Sequence, residues 1–527
     1  MINYILLPLL FTFVNSLNQP NQPDQLNQLN QLNQLNQLNQ LNQLNQLNQP
    51  NQPNQPNQPN QPNQLKQLNQ PEQIHIAFAG IDSNYDPLTY TISWMTPNKP
   101  FDIVVKYGFA SNNYIFKSFG YSLSYYDTWH NHVTLQELNN TKYYYIVGSE
   151  NDKSWSPEKT FAFNAKQNIE NKFNTENKLK TTFAVYADLG IVNGQTSIDY
   201  LNKIKNDVDF YWHGGDVSYA DDAFLHKGCL FKFCYEETWN KFMNSIESFT
   251  QEKPYMVAPG NHEADCHDPT CLADKDRREK LSNFTAYNTR FRMPSTKDEG
   301  GGTLNMHYSF NYGLAHFISI DTETGYPGAD EETKYVLPCG GFEEQLNWLK
   351  NDLIEANANR HNRPWIFVQG HHPLYQGNSI DINFQNALEE LFHNYQVDIY
   401  FSGHIHSYER TWPTYANKSE TYYPNNIYTN PSYTTYLMIG GSGNDEMKEA
   451  KNKIDPESEK YNPKPHQHYF NKADKKEGEK GQQTVTVDVD YFGIGIVNIL
   501  NSTNLEFKYV RTSLEEVYDS FILKKYH

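Results

Sequence analysis

The chain has 527 residues, enough for two or three domains, and a formal net charge of −18. That charge excludes a protein that grips a phosphate backbone through a basic face, so no nucleic-acid partner is expected. It does not exclude an anionic small substrate, because bound metals reverse the local sign.

Residues 1–16 carry an apolar run too short to span a bilayer and end in small residues. This reads as a signal peptide, so the expected location is outside the cell or in a lysosomal or vacuolar lumen. No other stretch is long and apolar enough for a membrane span. Four Asn-x-Ser/Thr triplets, at Asn139, Asn283, Asn417 and Asn501, are glycosylation acceptors suited to that route. The five cysteines include two pairs spaced five apart, Cys229 with Cys234 and Cys266 with Cys271. They suit two local disulfides in an oxidising compartment, with Cys339 left over either to pair between chains or, the preferred reading, to stay a buried thiol, although spacing alone leaves the pairing open. None of the spacings forms a zinc site.

Residues 17–71 repeat Asn-Gln-Pro and Asn-Gln-Leu triplets almost without charge. Such a segment is expected to be a disordered, partly extended spacer. From 72 to 163 short alternating strands follow one another between turn residues, the pattern of a β-sandwich. Its His130-x-His132 pair shares one strand face and reads as ordinary strand surface. Residues 164–180 are polar and aperiodic and form a linker. From 181 to 443 strands at 182–186, 208–212, 255–258, 316–320, 365–368, 397–401 and 436–439 alternate with helical patterns such as 342–356 and 384–394. That rhythm predicts an α/β body with a mostly parallel sheet, whose ligands gather at the carboxyl ends of the strands. Residues 444–484 are a charged insertion in which His466-x-His468 reads as solvated loop. Residues 485–527 return to alternation and are expected to pack on the α/β body as its last layer.

The chemistry lies where the α/β strands stop. The first ends in Asp188-Leu-Gly190, and the second in Gly215-Asp216-Val-Ser-Tyr219. The third ends in Gly260-Asn261-His262-Glu263, the fifth in His371-His372-Pro373 and the sixth in Gly403-His404-Ile-His406. Oxygen and imidazole donors at five strand ends of one sheet edge point to bound cations, and the flanking glycines let the backbone turn beside them. Seven donors, Asp188, Asp216, Tyr219, Asn261, His371, His404 and His406, suffice for two metals, with a carboxylate such as Asp216 able to bridge. Two cations side by side clamp a phosphate oxygen, acidify a bound water and stabilise a trigonal-bipyramidal transition state. His262, adjacent to a ligand but itself spare, can protonate a leaving alkoxide. His372, also adjacent to a ligand, could supply a further substrate contact, although that adjacency more often points a side chain elsewhere.

With these motifs the sequence resembles the purple acid phosphatases, in the large two-domain form known from plants, from about residue 72 to the C-terminus. The resemblance implies a four-layer α-β-β-α metallophosphoesterase domain after a fibronectin III-like sandwich. It implies Fe(III) bound by Asp188, Asp216, Tyr219 and His406, the Tyr219 tyrosinate giving the colour. It implies Zn, Mn or Fe(II) beside it, held by Asp216, Asn261, His371 and His404. His262 matches the substrate-contacting histidine. Two departures stand out: Ala187 replaces a common glycine, and the plant histidine pair about nine residues after His371 is missing from Ile380-Asp-Ile-Asn383. The expected activity is hydrolysis of phosphate monoesters, small or protein-borne, below neutral pH, by a hydroxide held on the metals with His262 as proton donor. The alternatives are a phosphodiesterase or nucleotide pyrophosphatase on the same metals, or a secreted binding protein with an inactive catalytic domain. The oligomeric state is open, a homodimer included.

Overall fold

The computed structural model describes residues 69–82, 85–164, 180–225, 228–229, 232–294, 305–326, 342–375, 381–447 and 484–526. The leader, the repeat, most of the linker, Cys339 and the His466-x-His468 stretch lie outside the described residues.

The first 90 or so described residues form two facing antiparallel sheets. One orders Glu72–Ile81, Pro87–Thr96, Thr128–Thr134 and Tyr121–Tyr125. The other centres on Val104–Gly108 and Thr141–Ser149. Alternate residues of both meet in a core that includes Ile92, Trp94, Val105, Tyr145 and Phe161. This core does not stop at the sandwich. The Phe78 ring packs on Phe210, Phe310 and Tyr312 of the following domain, at 5.6, 5.1 and 5.1 Å. The sandwich is therefore joined to the α/β body by continuous apolar contact, worth about 1.5–3 kcal/mol for each large side chain fully buried there.

The α/β body contains two seven-stranded sheets. In the first, Tyr255–Ala258, Phe210–Gly214 and Thr181–Tyr186 run parallel. In the second, Ala315–Ser319, Trp365–Gln369, Ile399–Ser402 and Thr435–Ile439 run parallel. The period-2 alternation of these strands explains the layering. Phe183 and Phe210 point inward and meet Phe317, Phe367 and Phe401 of the other sheet, the Phe183 ring lying 5.2, 5.7 and 6.4 Å from theirs. The alternate residues Ile318, Ile366, Val368 and Tyr400 point outward to Leu349, Leu353, Leu388 and Phe392 on the helices Phe342–Ala358 and Ile382–Asn394. The helix Tyr235–Thr250 covers the first sheet, with Phe249 against Tyr211 at 4.6 Å. The result is four layers, helix, sheet, sheet, helix.

The structure corrects three sequence expectations. The body holds two mixed sheets rather than one mostly parallel one. The C-terminal strands are not a separate layer. Gly493–Ile499 pairs antiparallel with Thr181–Tyr186 inside the first sheet, and Thr484–Asp488 borders Tyr408–Thr411 in the second. Finally, His130 and His132 are not strand surface. Both are buried, and His132 Nε2 lies 3.0 Å from the Thr289 carbonyl across the domain seam.

Candidate metal centre

The parallel strands of both sheets end at one edge, and the turns that leave them carry the seven donors. The structure brings all seven together. Asp216 Oδ2 lies 3.0 Å from His371 Nε2, and Asn261 Oδ1 lies 3.2 Å from His371 Nε2 and 3.0 Å from His404 Nδ1. On the other side Tyr219 Oη lies 3.0 Å from Asp188 Oδ1, 3.2 Å from Asp216 Oδ2 and 2.8 Å from His406 Nε2. Two clusters of possible ligand atoms result, Asp216 with His371 and His404, and Asp188 with Asp216 and His406, each within 4.8 Å. Asp216 belongs to both, which is the arrangement a bridging carboxylate requires.

The donor set fits cations by its chemistry. Asp188 and Asp216 are buried beside a phenol and three imidazoles. Burial, then Asp188 and Asp216, push the Tyr219 phenol well above its ordinary range, so a tyrosinate there needs a highly charged cation. Burial disfavours a charged His371, yet Asp216 and Asp188 outweigh it and push its pKa up to about 10. A cation on those carboxylates would remove the cause.

The local backbone is built for close approach. Asp188, Asp216, Tyr219 and His404 all sit at positive φ, between 54° and 69°. A Cβ on Gly260 would stand 2.2 Å from Asp216 Oδ1, and one on Gly403 would stand 2.3 Å from Asp188 Oδ2. Only glycine leaves room for the carboxylates there. Ala187, the departure from the expected glycine, is buried without conflict and donates its N–H to the Ile439 carbonyl at 3.2 Å.

His262 lies at the rim. Its Nδ1 is 2.9 Å from Asp221 Oδ2, and its Nε2 is 3.8 Å from Asp216 Oδ2, facing the centre. Burial opposes its protonation, but Asp221 and then Asp216 prevail and hold its pKa well above the usual histidine range.

Several residues that sequence reasoning missed hold these ligands. Glu263 accepts the N–H groups of Asp216, Val217 and Gly260, at 2.9, 2.7 and 2.8 Å. Asn444 donates to the Asp188 carbonyl at 3.2 Å, from the glycine-rich turn after Thr435–Ile439. That turn, Gly440-Gly-Ser-Gly-Asn444, was a usable signal at a seventh strand end. Asp221 sits in the Tyr-Ala-Asp-Asp run after Tyr219, a weaker one. His372 is the clearest correction: its ring lies 4.2 Å from that of His404, toward the site rather than away.

Of the glycosylation triplets, Asn139, Asn283 and Asn417 are exposed, while Asn501 is half-buried and its Oδ1 accepts the N–H groups of Thr503 and Asn504. Cys229–Cys234 and Cys266–Cys271 are disulfide-bonded.

Two sheets between helices, with carboxylates, imidazoles and an amide at their shared strand ends, define a dinuclear metallophosphoesterase. Comparison with known proteins agrees. Residues 181–408 match the calcineurin-like phosphoesterase family, 71–163 the purple acid phosphatase N-terminal domain, and 433–520 the iron/zinc purple acid phosphatase-like C-terminal domain. The acid phosphatase type 7 of Mus musculus is 30% identical over 72% of this chain and 79% of its own. Purple acid phosphatase 21 of Arabidopsis thaliana is 30% identical over 71% and 72%. The solved purple acid phosphatase from yellow lupin seeds shares the fold, with a TM-score of 0.62 at 21% identity over 87% of this chain and 75% of its own. The chain belongs to the purple acid phosphatases. It is a hydrolase whose residues suit a dinuclear metal centre, and membership of the family implies iron as one of the metals.

Proposed function

We propose that the protein hydrolyses phosphate monoesters at acid pH, with Fe(III) in the pocket of Asp188, Asp216, Tyr219 and His406. Zn, Mn or Fe(II) occupies that of Asp216, Asn261, His371 and His404. The observation that carries this reading is the placement of Tyr219 Oη within 3.2 Å of both Asp188 and Asp216, since a phenolate between two carboxylates suits a hard trivalent ion. When bound, the metals polarise the phosphoryl oxygens and generate a nucleophile from water.

The chain's own residues do the rest. Asp221 fixes His262 Nδ1, so the Nε2–H faces the centre, where it donates its proton to the departing alkoxide oxygen. Glu263 holds the backbone at Asp216 and thereby aims the carboxylate that would serve both metals. Secretion is supported by the two disulfides and by the apolar leader at residues 1–16. Exposure of Asn139, Asn283 and Asn417 supports glycosylation there.

The test is spectroscopic. Purified protein carrying iron is expected to show a visible tyrosinate-to-Fe(III) band that Tyr219→Phe abolishes while iron stays bound. A colourless protein with full iron occupancy and intact Tyr219 would refute the assignment.

A further inference from the structure

His372 has no place in the ligand set, yet it is among the most constrained residues at the rim. Its backbone N–H donates to Thr322 Oγ1 at 3.0 Å, and its carbonyl accepts from Tyr400 Oη at 2.7 Å. Its ring Nε2 lies 3.1 Å from Glu323 Oε1. Glu323 is itself buried at 1% exposure, in the turn after Ala315–Ser319, where its N–H is tied to Asp321 Oδ1 at 2.9 Å. An imidazole anchored at both backbone ends and at its ring tip has little rotameric freedom left.

What that fixed ring meets is His404. The two rings lie 4.2 Å apart at 42°, while the Phe384 ring meets His372 edge-on at 6.2 Å. His404 needs external support because its backbone sits at φ 69°, a conformation that costs on the order of 1–3 kcal/mol unless its surroundings impose it. Asp188 imposes the backbone half by accepting the His404 N–H, at 2.9 Å to Oδ2. The His404 side chain must still present Nδ1 beside Asn261 Oδ1, at 3.0 Å. On the iron side, His406 is oriented by other groups, Asp188 at 3.3 Å, Tyr219 at 2.8 Å and Glu446 at 3.4 Å.

We propose that Glu323 and His372 form a clamp that positions His404, and so sets the affinity of the divalent half of the centre without affecting the iron half. The inference rests on the division of ligands proposed above. His372 is a positioning residue acting through His404; outer groups of this kind typically change metal affinity by about 10–100-fold.

The experiment uses the full chain. The divalent ion is stripped with a chelator, and Zn²⁺ is titrated back in competition with a chromophoric indicator, alongside the visible band and steady-state kinetics. His372→Ala is expected to keep the wild-type band, weaken the Zn²⁺ Kd by about 10–100-fold, and recover near wild-type kcat at saturating Zn²⁺. Glu323→Gln, which keeps the shape and loses the charge, is expected to move the Zn²⁺ Kd in the same direction by less. Unchanged Zn²⁺ affinity with a raised KM would overturn the proposal, because His372 would then touch substrate. Loss of the iron band along with Zn²⁺ in both variants would also overturn it, because the effect would not be selective. A wild-type protein that binds iron without colour would sink the functional assignment instead, so the two failures are distinguishable.

Discussion

Replacing His132 with Gln is expected to flatten the acid side of the protein's stability curve. His75, His130 and His132 lie buried in the seam between sandwich and α/β body, with Arg290 and Arg292 facing them and Glu236 paired to Arg290 at 3.0 Å. His132 is satisfied in its neutral form: Nε2–H donates to the Thr289 carbonyl, and Nδ1 accepts from Ser93 Oγ at 2.8 Å. Burial, reinforced by Arg292, holds its pKa well below 6.5, and burial holds that of His75 down to about 4. Below pH 6.5 the unfolded chain protonates these rings and the folded chain does not. Stability is therefore full above 6.5 and falls as pH drops, by about 1.4 kcal/mol per pH unit for each ring. For His75 the loss ends near its folded value and totals about 3 kcal/mol. At pH 5 one ring has withdrawn about 2 kcal/mol, and three about 6 kcal/mol, which is comparable to the whole stability of many domains. Gln at position 132 can donate to Thr289 and accept from Ser93 without titrating. The assay is urea unfolding followed by tryptophan fluorescence between pH 7.5 and 5. Any constant cost of the substitution cancels in the slope, which below pH 6.5 is expected to be shallower than wild type by about 1.4 kcal/mol per pH unit, the two profiles running parallel above it. Wild-type and variant profiles parallel below it as well would refute the reasoning.

Three further outcomes follow from the geometry of the centre and of the seam. His262→Asn is expected to lower kcat/KM by about 10²–10⁴-fold for an alkyl phosphate and by much less for a nitrophenyl phosphate, whose leaving group needs no proton. Asp221→Asn is expected to move the alkaline limb of kcat/KM to lower pH, because Asp221 is the main group holding the His262 proton; a series of rates from pH 4 to 9 checks both. Glu236→Ala is expected to cost about 3–5 kcal/mol, since it leaves Arg290 charged and buried between Tyr125 and Trp239, each 4.7 Å from the guanidinium. Thermal denaturation measures it, and the double variant with Arg290→Met is expected to recover most of the loss.

The ligands were legible in the sequence because each follows an apolar strand within a few residues, so the strand and its donor are read from one short window. Their partners were not. Glu323 carries no spacing signal, Asp221 only a weak one, and Glu263 stands inside the third motif without its role showing there, since what defines all three is a contact made across the strand-end turns. His130 and His132 were misread for a related reason. Alternation places two residues on one face but does not say what that face meets, and here it meets Thr289 and the arginines of the next domain rather than water. The last strands were misassigned because the pairing of Gly493–Ile499 with Thr181–Tyr186 joins opposite ends of the domain, which no local pattern records.

The left-handed backbone at Asp188, Asp216, Tyr219 and His404 ties these observations together. Four strained positions at about 1–3 kcal/mol each would be untenable if each stood alone. They are not independent. The turn at His404 directs its N–H at Asp188, while the turn at Asp216 directs two successive N–H groups at Glu263, and Asn444 secures the Asp188 carbonyl. Glycines at 260 and 403 vacate the space into which the two carboxylates lean. The His404 kink thus supplies a hydrogen bond that another ligand, Asp188, accepts, and the Asp216 kink supplies two that tie it to Glu263, so strain at these strand ends is offset by order at their neighbours. Gly260 and Glu263 meet Asp216, and Gly403 meets Asp188, each at a different strand end from its own, so a substitution at any one of the three is expected to disturb a ligand outside its own turn.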